Sequence, residues 1–290
     1  MPDPTPFLTR WSLSDPRLIK GEGHAHVWRV TQSCGTHAAL KIFKPDRGGN
    51  ERNAAQWHRF FAPSGACPPV IAQTGDAVLC AWVAGETLGE MFRRGLPTQA
   101  DTRLAQAMTR LHANSPTMPE NDAFEPLDHY TRALKTFVPP ANFSTRARSD
   151  IARAQSLLAD LLTTQTPANT RLLHGDLHHD NVLGSDENWQ IIDPKSVVGD
   201  LHFEPANAFR NPLGASPATF TAPNIHARAA LWASALDLDK ERLLKWAAAK
   251  CALSIAWTCG PQWDGKLPQN DIAILEVLLD LALAGAPPSP

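Results

Sequence analysis

Ionisable side chains are concentrated in one short segment, residues 172–183, which reads LLHGDLHHDNVL. Two carboxylates, three histidines and an asparagine lie there between apolar residues that we expect to form strand ends. A second apolar segment, residues 190–195 (QIIDPK), follows and contains Asp193. A carboxylate in such a loop can orient a hydroxyl group and accept its proton. An amide and a further carboxylate supply the oxygen ligands that Mg²⁺ prefers.

The spacing H-x-D-x-x-x-x-N, followed by a strand that ends in Asp, is the kinase catalytic arrangement. Phosphoryl transfer needs a carboxylate that orients the acceptor hydroxyl, and oxygen ligands that hold Mg²⁺ on the ATP phosphates. We therefore predict Asp176 as the base, Asn181 and Asp193 as the metal ligands, and His174 as a support for the loop. A polar surface hairpin is the alternative interpretation. A histidine-rich metal centre would need a different residue order.

A lysine near the N-terminus has the sequence context of the kinase lysine that binds the α- and β-phosphates. Lys41 lies in the apolar stretch ALKI and precedes a predicted helix that opens with Glu51. We expect Glu51 to hold the lysine extended, with Glu22 as the alternative partner. Taken alone, a lysine in a strand is more often at a solvated edge, so this prediction depends on the downstream motif.

Two glycine-containing segments have different significance. Gly21 and Gly23 form a G-x-G turn between predicted strands, and His26 stands at the position of the third kinase-loop glycine. The turn predicts a phosphate-covering hairpin, although a plain turn also explains it; no helix follows, which excludes a dinucleotide fingerprint. Residues 260–267 (GPQWDGKL) nearly match a P-loop, but they lack its terminal Ser or Thr and follow a helix.

The hydrophobic pattern divides the chain into a strand-rich part and a helical part. Short apolar stretches bounded by turn residues predict strands at 18–20, 26–31, 38–43, 70–73 and 77–83, and a helix at 51–61. Beyond residue 85 the apolar residues recur at helical intervals. We expect helices after a Thr98 N-cap and at 151–162, 225–236, 240–258 and 272–284, around a strand-like middle at 172–193.

This order predicts an α+β class and a bilobal, protein-kinase-like fold. Residues 1–84 would form a small antiparallel β lobe with one helix, which binds the nucleotide. Residues 85–290 would form a larger, mainly helical lobe with the catalytic and acceptor-binding groups, joined to the first near residues 83–87.

Composition excludes several functional classes. The 27 basic and 29 acidic residues give a formal net charge of -2, so no global positive field exists to bind nucleic acid or an anionic membrane. No apolar run approaches the length of a membrane span, and the N-terminus is unlike a signal peptide. The five cysteines contain no C-x-x-C pair, which favours a reducing cytoplasm. The oligomeric state stays open, and a monomer is compatible with the sequence.

These motifs resemble the aminoglycoside and hydroxyurea phosphotransferases, a family that includes streptomycin 6-kinases. The likeness is strongest in residues 172–183 and 192–200 (IDPKSVVGD), and it continues through residues 203–204, 209–212 (FRNP) and 236–257. The pair of IDPK and RNP is specific to this branch of kinases. Residues 38–41 and the pattern Glu51-x-x-Ala-Ala-x-Trp57 also fit. The histidines of the glycine turn depart from the family, which leaves the nucleotide preference open, and residues 115–145 match nothing recognisable.

The resemblance implies further site residues. Adenine would bind the backbone of the connector around Ala81 and Val83. His178 stands where protein kinases carry a catalytic-loop lysine; it would neutralise the γ-phosphate if protonated, and a structural role is the alternative. The remaining expected contacts are on the acceptor side and comprise Lys195, Asp200, Glu204 and Arg210. Buried carboxylates would suit a cationic aminoglycoside, whereas ion pairs or helix capping explain them equally well.

We therefore expect an ATP- and Mg²⁺-dependent O-phosphotransferase whose partner is a small-molecule hydroxyl acceptor, for example streptomycin, with antibiotic resistance as the outcome. The alternatives are a kinase of an unrelated small metabolite and a non-catalytic nucleotide-binding module with the same fold. A protein kinase is disfavoured because no D-F-G or A-P-E signature follows Asp193.

Overall fold

Alternating apolar residues near the N-terminus fold into an antiparallel sheet of five strands in the order β1-β2-β3-β5-β4. The computed structural model describes residues 3–21, 23, 25–44, 52–113, 124–186 and 188–284. Within these, the strands of the sheet are β1 (Leu13–Lys20), β2 (Ala25–Gln32), β3 (His37–Phe43), β4 (Val70–Gln73) and β5 (Ala77–Ala81). A short helix, α1 (Thr5–Arg10), precedes the sheet and packs beside β1.

The period of two in β3 decides which side chains face the cleft between this sheet and the loop of residues 174–181. Ala38, Leu40 and Ile42 pack into an apolar cluster on one face of the sheet. Ala39 and Lys41 therefore face the other side, where both line the cleft. Because β3 is hydrogen-bonded on both sides, to β2 and to β5, the position of Lys41 is fixed within the sheet.

One helix of this region connects the sheet to the rest of the molecule. Helix α2 (Ala54–Phe61) is amphipathic, and its apolar face is buried. The indole Nε1 of Trp57 donates a hydrogen bond of 3.0 Å to the backbone carbonyl of Leu173, the last residue of the strand before the catalytic loop. The predicted helix start at Glu51 lies outside the described residues.

The C-terminal region is mainly helical and encloses the larger hydrophobic core. Its helices are α3 (Leu88–Arg93), α4 (Pro97–His112), α5 (Leu127–Tyr130), α6 (Arg132–Lys135), α7 (Thr145–Thr163), α8 (Ala222–Leu236), α9 (Lys240–Thr258) and α10 (Gln269–Ala282). Helix α9 is buried along most of its length and packs against α7 and α10. It therefore forms the centre of this region.

Two small sheets hold the loop that carries the catalytic motif. One consists of β6 (Glu86–Thr87), β9 (Val182–Ser185) and β10 (Asn188–Ile191), and the other of β7 (Glu125–Pro126), β8 (Thr170–Leu173) and β11 (Val197–Asp200). The motif loop runs from β8 to β9. A short 3₁₀ turn, His179–Asn181, ends it, and the backbone N–H of Ile192 donates to the carbonyl of Asn181 at 2.9 Å.

The predicted order of a β-rich part followed by a helical part is confirmed, but several elements differ in extent from the prediction. Strand β5 ends at Ala81 and not at residue 83, α7 begins at Thr145 and not at residue 151, and α10 spans Gln269–Ala282 where 272–284 was predicted. Strand β1 begins at Leu13, earlier than the predicted strand at 18–20. Its first half contains a proline and charged residues, which do not form a strand pattern in the sequence but are tolerated at the exposed edge of a sheet. Helix α4 begins at Pro97, one residue before the expected cap Thr98. Among the described residues, no helix is both long and apolar enough to cross a bilayer. A lobe boundary at residue 84 stays a prediction.

Candidate active site

A cleft of about 660 Å³ lies between the five-stranded sheet and the motif loop. Its apolar lining comes from both sides and includes Ile19, Val27, Ala39, Leu183 and Ile192. Polar side chains also line the cleft and include Lys41, Asp176, His178, Asn181, Asp193 and Lys195. The cleft thus combines charged groups with apolar walls, and the space between these apolar walls, called the apolar slot below, suits a planar ring.

Lys41 and Asp193 meet across the cleft although 152 residues separate them. The Nζ atom of Lys41 lies 2.5 Å from Oδ1 of Asp193, and the Nζ atom of Lys195 lies 4.0 Å from Oδ2. A carboxylate is therefore flanked by two ammonium groups, one from each side of the cleft.

The charge state of Asp193 follows from these neighbours. Burial alone would raise the pKa of this carboxyl group, but the ammonium groups of Lys41 and Lys195 outweigh that effect, and the pKa lies well below its usual range. Asp193 also adopts a φ of 62°, which is unusual for a residue with a side chain. The chain thus holds an ionised carboxylate in a strained backbone conformation at the cleft.

The start of the motif loop is fixed by a glycine and a histidine. Gly175 has a φ of 82°, and a Cβ atom there would lie 2.7 Å from Val197 Cγ2. His174 is fully buried; its Nδ1 accepts the backbone N–H of Asp176 at 3.2 Å, and its Nε2 lies 2.8 Å from the carbonyl of Ile192. Burial lowers the pKa of His174, so the neutral ring acts as a support for the loop.

Asp176 and Asn181 are connected through the loop backbone. The Nδ2 atom of Asn181 donates a 2.9 Å hydrogen bond to the backbone carbonyl of Asp176, which leaves the amide Oδ1 for another partner. The Asp176 side chain is 26% exposed, and its Oδ1 accepts a 2.8 Å hydrogen bond from Asn207 Nδ2. One carboxylate oxygen is thus held by the protein, and the group as a whole borders the cleft.

His178 has a defined tautomer. Its Nδ1 accepts the backbone N–H of Asp180 at 3.2 Å, so in the neutral ring the proton is on Nε2. Burial lowers the pKa of His178 to about 4, although Asp176 and Asp180 oppose the shift. The ring is therefore neutral near pH 7 in the free protein. The expected neutralisation of the γ-phosphate was conditional on a protonated ring; the neutral ring offers Nε2–H as a neutral donor, and the role of His178 stays a prediction.

Three residues expected on the acceptor side do not line the cleft. Asp200 is fully buried, where it bonds to His202, Arg242 and Trp246. One carboxylate is thus bonded to an imidazole, a guanidinium and an indole group. Burial raises the pKa of Asp200, but hydrogen bonds, above all those from His202, lower it to a net value of about 2. Asp200 is therefore a structural anion, which corrects its expected contact with a cationic acceptor.

The charged groups of Glu204 and Arg210 also bond to other groups of the protein. The Glu204 carboxylate lies 3.0 Å from His112 Nε2 and accepts the backbone N–H of His174 at 3.0 Å. Arg210 forms a two-point ion pair with Asp271, at 3.1 and 2.8 Å. Because Glu204 holds the start of the motif loop, it positions the site from behind, and the expected contact with the acceptor is corrected for both residues.

On the nucleotide side, the expected residues border the apolar slot. Ala81 and Val83 line it, as does Gly23, whose φ of 77° suits only a glycine well. Gly21 lies at the end of β1, and its carbonyl accepts a hydrogen bond from Lys44. Glu51 lies outside the described residues, so its expected pairing with Lys41 stays a prediction.

Three residues that the sequence analysis did not single out belong to this site. His58 lines the cleft beside Lys41; burial lowers its pKa to about 3, and its Nδ1 has no partner within the described part of the chain. Asn207 and Lys250 lie behind Asp176. The signal for Lys250 was present in the sequence, since it is the one charged residue in the apolar run from 246 to 257.

The residues present fit a Mg²⁺ ion. Asn181 offers an amide oxygen and Asp193 an ionised carboxylate on the same cleft, and Mg²⁺ characteristically takes one or two such protein ligands together with phosphate oxygens and water. Across the described ranges, no cluster of three or more His, Cys, Asp or Glu residues could hold a metal by itself.

Comparison with known proteins gives the same picture. Residues 10–260 match the family described as aminoglycoside/hydroxyurea antibiotic resistance kinase. The chain is 30% identical to the hydroxyurea phosphotransferase of Kitasatospora aureofaciens, over 95% of this chain and 78% of that protein. It is 32% identical to the streptomycin 3''-kinase of Klebsiella pneumoniae, over 82% of this chain and 84% of that protein.

A solved structure shares the fold at low sequence identity. The aminoglycoside phosphotransferase APH(4)-Ia, in its ternary complex with ADP and hygromycin B, aligns with a TM-score of 0.64 and 14% identity, over 98% of both chains. The predicted protein-kinase-like fold is thereby confirmed.

Proposed function

The chain belongs to the aminoglycoside/hydroxyurea antibiotic resistance kinase family, and from this premise we propose that it transfers the γ-phosphoryl group of Mg²⁺-bound ATP to a hydroxyl group of an aminoglycoside such as streptomycin. Relatives named as kinases or phosphotransferases of small molecules establish the coarser statement, that it is a small-molecule kinase. The choice of acceptor is our proposal, and hydroxyurea is its closest competitor. We further propose a cytoplasmic site of action, where ATP is abundant.

The observation that carries the proposal is the 2.5 Å contact between Lys41 and Asp193. It brings together two residues of the predicted site that are 152 residues apart in the chain, and Asn181 and Asp176 line the same cleft. Both side chains are only partly exposed, 17% for Lys41 and 28% for Asp193, so both ions lose part of their hydration. A triphosphate with its metal ion would give each ion a partner: phosphate oxygens for the lysine and the metal for the carboxylate.

In this assignment each group has a separate role. The purine would occupy the apolar slot next to Ala81 and Val83. Asn181 and Asp193 would hold Mg²⁺, which when bound supplies positive charge to the bridging phosphate oxygens. Lys41 would bind the α- and β-phosphates, and the phosphate charge would replace that of Asp193 as its partner.

The motif loop would perform the transfer itself. Asp176 would orient the acceptor hydroxyl through its second carboxylate oxygen and receive the proton as the acceptor oxygen bonds to the γ-phosphorus and the bond between that phosphorus and ADP breaks. His178 offers its Nε2–H as a neutral donor to a phosphate oxygen. Lys195 lies beside Asp193 and would stabilise the charge of the phosphoryl group in transit. Most of the acceleration therefore comes from positioning and from fixed charges.

A coupled assay of ADP release tests the proposal. Purified protein is incubated with Mg²⁺ and ATP, and streptomycin, other aminoglycosides, hydroxyurea and sugar alcohols are added in turn, with an Asp176→Asn variant as the blank. Streptomycin-dependent release, with a phosphorylated product in the mass spectrum, supports the proposal. Release with hydroxyurea alone would replace the proposed acceptor, and nucleotide binding with no transfer to any acceptor would favour a non-catalytic module.

A further inference from the structure

Behind the proposed base lies a buried lysine that the proposed mechanism does not use. Lys250 belongs to the central helix α9, and its side chain is 1% exposed. The Nζ atom donates hydrogen bonds to Asn207 Oδ1 at 3.0 Å and to Ser254 Oγ at 3.2 Å, and it lies 4.8 Å from the centre of the Trp257 ring. Its distance to Asp176 Oδ1 is 3.9 Å.

A purely structural role explains this lysine poorly. Its shortest contacts are to a neutral amide and a neutral hydroxyl, and its ion pair with Asp176 is long, at 3.9 Å, so little offsets the cost of its desolvation. Burial also lowers the pKa of Lys250 to about 8, a sign of that cost. A methionine of similar length would fill the same space more cheaply. The position of the ammonium behind Asp176 therefore calls for a functional reason.

The hydrogen-bonding capacities of the three side chains define one arrangement. An ammonium group can only donate, so Lys250 requires the oxygen of Asn207 to face it. The Nδ2 group of Asn207 must then point the other way, where it donates to Asp176 Oδ1 at 2.8 Å. If the amide were reversed, its oxygen would face the carboxylate and repel it. The orientation of Asn207 thus depends on the charge of Lys250.

We propose that Lys250 is a positioning residue for the catalytic base: it fixes the amide of Asn207, and Asn207 in turn holds one oxygen of Asp176 so that the other faces the acceptor hydroxyl. This inference rests on the proposed function for the role of Asp176. Neither Lys250 nor Asn207 contacts the nucleotide side of the cleft, so the arrangement acts on transfer and leaves ATP binding unaffected.

Kinetics of three variants test the arrangement. In Lys250→Met, kcat should fall about 10- to 100-fold, the cost typical of a misaligned reacting group, while the KM for ATP stays unchanged. Asn207→Ala should give a similar loss, and the double variant should lose no more than Asn207→Ala alone, because both residues act through one contact. Transfer to streptomycin or hydroxyurea is measured, and ATP hydrolysis with water as acceptor is measured if neither is a substrate.

The matched control is Cys251→Ala, a buried residue of the same helix whose Sγ contacts the backbone of Asp271 and takes no part in the arrangement. It should retain wild-type kcat. A wild-type kcat in Lys250→Met, or losses that simply add in the double variant, would overturn the proposal. A loss of folding in Lys250→Met is detected by its melting temperature.

A spectroscopic measurement keeps the inference separate from the proposed function and requires neither nucleotide nor turnover. The side-chain amide signal of Asn207 is assigned in ¹⁵N-labelled protein from its loss in Asn207→Ala. We expect protection from solvent exchange in the wild type, and loss of that protection in Lys250→Gln and Lys250→Met. Equal protection in all three proteins refutes the inference, whatever the assays show. Failure of the wild type to bind Mg²⁺ and AMP-PNP refutes the proposed function alone.

Discussion

The ammonium group of Lys41 lies 2.5 Å from a carboxylate oxygen of Asp193, and this ion pair spans the cleft between the sheet and the motif loop. The two residues come from different parts of the fold: Lys41 from the middle of β3, and Asp193 from the segment that follows β10. Each member of the pair favours the ionised form of the other. A bound polyanion would therefore meet a charged lysine, and a bound cation would meet a charged carboxylate.

Replacement of Lys41 by methionine should weaken nucleotide binding. The change removes the cation nearest to Asp193 and keeps the length of the side chain, so the sheet should be retained. We expect a higher Kd for Mg²⁺-bound AMP-PNP and a lower kcat/KM for ATP, both measured on the purified variant. Lys266→Met, at an exposed position, is the control. Unchanged nucleotide affinity would separate Lys41 from the phosphates.

Asp176→Asn should abolish transfer and spare binding. The amide keeps the size of the carboxylate and loses its ability to accept a proton, so we expect turnover to fall about 10²-fold or more. The affinity for Mg²⁺-bound AMP-PNP should remain. Asp186→Asn provides the matched control, because Asp186 is exposed and its positive φ of 49° is one that asparagine adopts readily. Wild-type turnover in Asp176→Asn would end its assignment as the base.

The sequence placed the motif residues near one another because they are close together in the chain. Asp176 and Asn181 belong to one loop, and a loop of fixed length between two strands places its residues in a reproducible way. The position of Lys41 on the cleft follows for a related reason: the alternation within a strand decides which face it occupies. Local spacing therefore predicts which of these side chains share the cleft, and their chemical roles stay predictions.

Contacts between distant segments could not be predicted in this way. Asp200 and Glu204 are acidic residues near the motif. Nothing in the local sequence reveals that Asp200 bonds to Arg242, or that Glu204 bonds to His112. Lys250 likewise contacts Asn207 and Asp176 only because α9 packs behind the loop. The sequence shows that such residues are unusual where they stand, but their partners are fixed by the packing of helices.

Glu204→Gln tests the structural role given to this carboxylate. Loss of a buried, charged acceptor should lower the free energy of unfolding by about 1–3 kcal/mol. The KM for the acceptor should not change, because the side chain faces His112 and the loop backbone. Urea unfolding and steady-state kinetics measure the two quantities, with the exposed Glu241→Gln as control. A raised KM at wild-type stability would restore Glu204 to the acceptor site.

We predict that Trp257 contacts the acceptor through its aromatic ring. Its indole is 42% exposed, and its edge packs on Tyr130, whose hydroxyl donates to the carbonyl of Gly175 in the motif loop. An aromatic contact contributes about 0.5–1.5 kcal/mol, so Trp257→Ala should raise the acceptor KM about 2- to 10-fold. Trp257→Phe should retain part of the affinity. Trp263→Ala, in the loop after α9, is the control. An unchanged KM would place the acceptor elsewhere.

Buried neutral histidines should make the protein sensitive to mild acid. In the folded protein the pKa of His58 is lowered to about 3 and that of His178 to about 4, against 6.5 for the unfolded chain. Between these values the unfolded chain binds more protons, so the free energy of unfolding falls as the pH falls. The full contribution is present above pH 6.5, and each group removes up to about 1.4 kcal/mol per pH unit below it.

The carboxyl groups change the free energy of unfolding at a lower pH than the histidines do, so the two contributions can be measured separately. The carboxyl groups of Asp193 and Asp200 have lowered pKa values, so the stability they contribute is present above about pH 4 and is lost below it. Urea unfolding between pH 7.5 and 4.5 therefore reports on the histidines. Because His58 of the unfolded chain titrates in this window, His58→Gln should reduce the slope of stability against pH there. If the variant and the wild type lose stability in parallel, the titration of His58 does not contribute.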